Sequence, residues 1–535
     1  MPTQSTIKGF HRYLLGTALA MAFVGCRLLF ESGLLGSGRA ETYGHAWRQW
    51  WTASALPNWS TGPGTRLWNP VDLPLIDPLP TLISASIGRI LGVEFGYNTW
   101  ILLSIGLAFI GGVCLARRLG GDPLTGGTVL ALSPPLLGSL NSGLTEDGAV
   151  GLVAISMALI GDRDWKRGAL GGLLLGVSAF CGLVLAWAGG VMACVLGLGI
   201  IIHDRSRWKS LLAGAVGAIF LAWPAALLQG ARITGEGHRS GLSPPRPPDL
   251  WPLNPIQGVD LASLIRPGRF DAGDALIHTH PGWLGIVALG LGIMAFRTYR
   301  FRTLPLWSFL GIMICWSLGE QLYWTGTLLE ITNPSTTLMT QLPFGELINH
   351  HARLLIVASV ALAGLASLGA MHFVKGRQWI PLVILIEMIG LSPLSPILGV
   401  ASSTAPDVLQ QIDALPAGPL LVLPISGPGV HFQRPFLDQR VHERTLVADP
   451  QRPGLPTNID PDWRASESAA WLEDLAYCLV ENPPSHHRCT PPATFIAPPD
   501  IALIYVPSDM YEVVRPTLGI PAEEGEDGAV WNLLP

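Results

Sequence analysis

The feature that most constrains this chain is a succession of about eleven apolar runs, each closed by Gly, Pro or a knot of basic residues. They fall at approximately 13–30, 98–116, 123–140, 147–161, 168–184, 188–202, 210–229, 282–296, 304–320, 352–373 and 379–398. A helix crossing a bilayer needs roughly 20 apolar residues, and several of these runs are shorter, so two of them read equally well as re-entrant or fused segments. Only 13% of the 535 residues are charged, about half the ~25% usual in soluble domains. Lipid is therefore expected to be the main solvent for this part of the chain.

The basic knots give the runs a direction. They are Lys8/Arg12, Arg117/Arg118, Arg163/Lys166/Arg167, Arg205/Arg207/Lys209, Arg297/Arg300/Arg302 and Lys375/Arg377. If about eleven helices alternate, every knot lies on one side, as the positive-inside rule requires of a cytoplasmic face. That puts the N-terminus in the cytoplasm and the C-terminus outside. The opening run has signal-peptide traits, and Phe23-Val24-Gly25-Cys26 hints at a lipoprotein cleavage site. No small-x-small site follows cleanly, so the run is read as a retained first span of a bacterial inner-membrane protein.

The expected fold class is a polytopic α-helical membrane protein, residues 1–400, with a small extracytoplasmic α/β domain over 401–535. External segments are then the long first loop 31–97, the turn 141–147, the Pro- and Gly-rich stretch 230–281 and the loop 321–351. Within the first loop, "PLPTLISASIGRILG" (78–92) is too short to span and suits a helix lying at the interface. The tail alternates short apolar runs, "GPLLVLPI" (418–425) and "PDIALIYVPS" (499–508), with Pro-rich loops and the amphipathic "SESAAWLEDLAYCLVEN" (466–482). That pattern reads as buried strands plus helices.

Several classes drop out. A net charge of -5 with no basic stripe argues against a nucleic-acid partner. No P-loop, GxSxG, HExxH or strand–helix GxGxxG occurs, so no nucleotide cofactor is expected. No CxxC spacing marks a metal centre. Cys478 and Cys489 are the two cysteines of the tail and could pair as a disulfide in an oxidising compartment. The other five read as small packing residues within apolar runs.

Three polar clusters stand beside the predicted spans. In "AETYGHAWRQWW" (40–51), Glu41 and His45 are spaced i, i+4, and Trp47, Trp50 and Trp51 crowd around them. A helix would put acid and imidazole on one face, where the carboxylate could accept a hydroxyl proton. An interfacial aromatic belt with an incidental acid would look the same. In "SGLTEDGAVG", Glu146 and Asp147 sit at the mouth of a helical hairpin, suited to capping or, with a second acid, to acid–base work or a divalent cation. In "LINHHARLL", His350, His351 and Arg353 lead into a long apolar helix. An Arg there either snorkels or grips a phosphate through its planar fork. Asp72 and Asp77 flank prolines and suit turn caps, while His238-Arg239-Ser240-Gly241 and His278-Thr279-His280 read as solvated loop.

The order of these features resembles the GT-C superfamily, multi-pass glycosyltransferases that use polyprenyl-phosphate-linked sugars. The likeness is to its bacterial members and covers most of the chain. It rests on an acid followed by H-x-W in the first external loop, the short apolar helix after it, and "GYNTW" opening the second span. Where G-D-x-x-x-H-x-W is expected, this chain has Ala40 for the glycine and Glu41 for the aspartate, one methylene longer. "SPPLLGSLNSGLTED", "LPFGELINHHARLL" and "VLPISG…LDQRVHERTLVADP" are similar to the family's later segments.

The resemblance implies an inverting sugar transfer at the outer face of the membrane, to an envelope glycan, lipid or protein acceptor. Glu41 would be the catalytic base and Arg353 would hold the lipid phosphate. His45, Trp47, Glu146, Asp147, His350 and His351 would contribute to substrate binding. Two other readings fit the same sequence: a non-catalytic scaffold with the same architecture, and a transporter or flippase for lipid-linked material. A transporter should carry ionisable residues in mid-span and internal repeats; Glu387 is the clearest such residue, and no repeat is visible.

Overall fold

The computed structural model describes residues 4–38, 41–55, 77–233, 258–265, 282–325, 327–345, 348, 351–392, 395–425, 434–447, 459–475, 490–498 and 501–533. The chain divides into two compact units. The first comprises Met1–Glu31, Pro74–Ile83 and Asn98–Gly399, and the second Ser32–Leu73, Ser84–Tyr97 and Val400–Pro535.

The first unit is helical. Among the described residues, four segments are long and apolar enough to cross a membrane: Val93–Leu119, Leu183–His203, Arg205–Leu227 and His351–Ala370. Several other helices are shorter, and the sequence says why. Asp122 accepts the Thr125 amide and Pro123 opens the helix Pro123–Ala131; Ser133 is extended, and Pro134 starts a new helix to Asn141. Proline lacks an amide hydrogen and bars the preceding residue from the α region, so one apolar run becomes two short helices. The helix Ile286–Ser317 is broken at Tyr299, within the Arg297/Arg300/Arg302 knot. Glu387, in the helix Ile380–Gly390, accepts the backbone amides of Ile286 and Val287, the latter at 3.1 Å. It therefore caps the positive end of another helix, which explains a carboxylate in an apolar segment without a transport role.

Small residues let these helices meet. Gly168, Gly172 and Gly176 run down one side of Trp165–Ala179, which packs on Trp208–Ile233. A Cβ on Gly172 would overlap the Gly214 carbonyl, the close backbone approach that replaces hydrophobic driving force inside lipid. At the centre lies Leu354–Ala370, in which every residue is buried.

In the second unit a four-stranded sheet runs in the order Leu420–Val422, Leu503–Pro507, Gly528–Asn532, Glu523–Gly525. The first pair is parallel and the others antiparallel. Side chains alternate across it as a strand's period of two requires. Leu421, Ile504, Val506 and Trp531 join Trp463, Trp471 and Leu472 on one face. Leu420, Leu503, Tyr505 and Val530 face the other way, against Val408, Phe436 and Trp47. Trp47 belongs to the helix Thr42–Ala55, so this part of the first loop packs on the sheet's layer. Leu34–Leu35 also pairs antiparallel with Val400–Ala401. A second apolar helix of the early chain runs from Pro78 to Leu91, with Ile90 and Leu91 exposed.

Candidate active site

Glu41 and His45 stand at the start of the helix Thr42–Ala55 in the second unit. The His45 amide donates to the Glu41 carbonyl at 3.0 Å, closing the first turn. That brings Glu41 Oε2 to 3.4 Å from His45 Nε2. His45 is buried, while the Glu41 side chain keeps about a quarter of its surface (27%). An accessible carboxylate beside a shielded imidazole can accept a proton from a hydroxyl while the ring next to it restricts its position.

The two sides of this helix differ. On one side Tyr43 lies under the Arg434 guanidinium at 4.8 Å, and Trp47 packs on Phe436 with ring centroids 5.1 Å apart. The Trp47 indole donates to Gln439 at 3.0 Å. Arg434 pairs with Asp438 at 3.0 Å, and burial pushes the Asp438 carboxyl above its ordinary value against the pull of that cation. Trp47 therefore serves as the joint between the helix and the helix Arg434–His442. The other side carries Thr42, His45, Arg48, Gln49 and Thr52, all buried.

The first unit holds a second polar cluster. Glu146 and Asp147 lie on the single turn Thr145–Ala149. Arg353, at the head of the buried helix Leu354–Ala370, reaches Asp147 through Nε at 3.0 Å and Nη2 at 2.6 Å, and Glu146 through Nη2 at 3.1 Å. Ser139 also donates to Asp147. Asp77 receives the hydroxyls of Thr81, at 2.8 Å, and of Thr145. Trp100 fixes that turn by donating to the Thr145 carbonyl at 2.9 Å. Asp77 and Asp147 are fully buried, at 0% exposure.

Carboxylate oxygens of Asp77 and Glu146 come within 4.8 Å of each other. Two acids that close can share a proton or hold a divalent cation. The resemblance assigns Arg353 to a lipid phosphate; in the structure its Nε and Nη2 meet Asp147 and Glu146. Asp77 was expected to cap a turn, and its burial between two threonine hydroxyls, one 68 positions away, carries no local sequence signal. His351 is buried in the same turn as Arg353. His350, Asp72, the His238 and His278 loops, and the Cys478–Cys489 pair lie outside the described residues.

No family model and no curated protein matches this sequence. Solved structures do. The cryo-EM structure of the arabinofuranosyltransferase AftD from Mycobacteria superposes with a TM-score of 0.52 at 13% identity, over 98% of this chain and 40% of AftD. A point mutant of the same enzyme gives 0.53 at 14% identity, over 98% and 41%. The chain thus spans about two fifths (40%) of the length of the protein it matches. At that identity the likeness is one of fold, and across nearly its whole length this chain has the fold seen in AftD.

Proposed function

We propose that this chain is a GT-C-type membrane glycosyltransferase that moves a sugar from a polyprenyl-phosphate carrier to an envelope glycan, lipid or protein. The basic knots on one side of the predicted spans support an extracytoplasmic site in the inner membrane. The observation that carries the reading is Glu41 itself: a partly accessible carboxylate, 3.4 Å from a buried imidazole, in a chain with the fold of a sugar transferase.

In this reading Glu41 takes the proton from the acceptor hydroxyl as that oxygen bonds to the anomeric carbon. The anomeric C–O bond to phosphate breaks on the opposite face, and polyprenyl phosphate leaves with the electron pair. The anomeric configuration inverts. His45 holds Glu41 in place and limits its drift between rotamers. Arg353 serves the buried acids of the first unit.

The test is transfer by the purified chain in nanodiscs, with polyprenyl-phosphate pentoses and hexoses as donors. Glu41→Gln should lower kcat by about 10²-fold or more with KM for donor little changed. Equal turnover in both proteins would remove Glu41 as the base.

A further inference from the structure

The helix Thr42–Ala55 buries its polar side as well as its aromatic one. Thr42, His45, Gln49 and Thr52 follow one another at spacings of three, four and three, with Arg48 flanking them, so they form a single stripe. Thr42, Arg48, Gln49 and Thr52 are each more than nine-tenths buried. Yet the hydroxyls of Thr42 and Thr52, both polar atoms of the Gln49 amide, and Arg48 Nη1 have no hydrogen-bond partner among the described residues. No carboxylate among those residues pairs with Arg48. Burying one unpaired polar group is unfavourable, and aligning several with a cation is more so. Such a stripe is stable in use only if something polar comes to it.

Its chemistry says what. A guanidinium presents a fork of donors matched to a phosphate oxyanion. Threonine hydroxyls and a carboxamide offer both donors and acceptors, the complement of ester oxygens and sugar hydroxyls. We infer that Arg48, Gln49 and Thr52, with Thr42, form a subsite for a phosphate ester bearing hydroxyls, and that its source is the phosphorylated head of a polyprenyl carrier. The carrier rests on the proposed function; the oxyanion site does not. Arg48 then has the role that the sequence suggested for Arg353.

The test measures binding to the full chain in detergent, with undecaprenyl phosphate as probe and undecaprenol, inorganic phosphate and phosphatidylglycerol as comparisons. Undecaprenyl phosphate should bind and undecaprenol should not. Arg48→Gln should weaken binding by roughly tenfold or more, and Arg48→Lys by less, since it keeps the charge and loses the fork. Gln49→Met and Thr52→Val should raise the melting midpoint of the ligand-free chain while weakening binding, because they remove unpaired polar atoms from a buried face. A merely structural role predicts the opposite sign for that midpoint.

Binding unchanged in both Arg48 variants, or ligand-free midpoints lowered by both Gln49→Met and Thr52→Val, would overturn the subsite. Arg48-dependent binding of phosphatidylglycerol or inorganic phosphate in place of the carrier would overturn the source and leave the oxyanion site. The readout is separate from catalysis: Arg48-dependent binding without transfer keeps the subsite, whereas transfer with Arg48-independent binding keeps only the catalytic reading.

Discussion

Arg353 and Arg48 are both buried, and their surroundings differ in the one respect that matters for a cation. Arg353 is neutralised by Asp147 and Glu146, while Arg48 makes no ion pair among the described residues. Removing one partner of a buried pair strands the other, which costs about 3–5 kcal/mol, whereas replacing both with apolar groups is often neutral. Arg353→Met and Asp147→Leu should therefore each lower the melting midpoint sharply, and the double variant should recover a large part of the loss. Additive losses in a double-mutant cycle would show that the two side chains act independently. Glu41 and His45 belong to the same scale but were legible beforehand, because a spacing of four on a helix brings them together without help from the rest of the chain.

At the scale of the element, local signals marked the apolar runs well, and their breaks and partners poorly. The run 123–140 reads as one segment, and Pro134 divides it into two helices, as its chemistry dictates. The aromatic side of Thr42–Ala55 was visible as an aromatic cluster, but its receptor, Phe436 and Gln439, lies almost 400 positions away (|i−j| = 392 for the Trp47–Gln439 bond). Nothing near Trp47 in the sequence names that receptor. The helix pair 165–179 and 208–233 makes a further prediction. Gly172→Ala gains helix propensity, about 1 kcal/mol. It also drives a methyl into the Gly214 backbone, an overpacking cost of about 1–3 kcal/mol. We expect a net fall in the melting midpoint, while Gly190→Ala, where a Cβ meets nothing within 4 Å, should not lower it. Equal effects at the two positions would remove close backbone packing as the reason for Gly172.

For the whole molecule, the basic knots predict sidedness. Alkaline phosphatase fused after residue 400 should be active, and a fluorescent protein fused there should stay dark after export; the reverse pattern would invert the topology. A non-reducing gel of the same chain, before and after thiol reduction, reports on the expected Cys478–Cys489 bond, which should make the oxidised form migrate faster. Apolar runs, basic knots and the Glu41–His45 spacing were properties of short stretches, so the sequence alone determined the membrane class and the approach of Glu41 to His45. Which polar groups are buried was decided only by the tertiary structure. Asp77 needs Thr145, Asp147 needs Arg353, and the Arg48 stripe needs its whole surroundings before its exposure to water is lost. Burial is a property of the assembled fold, and it converts a solvated charge into either a structural pair or a binding site.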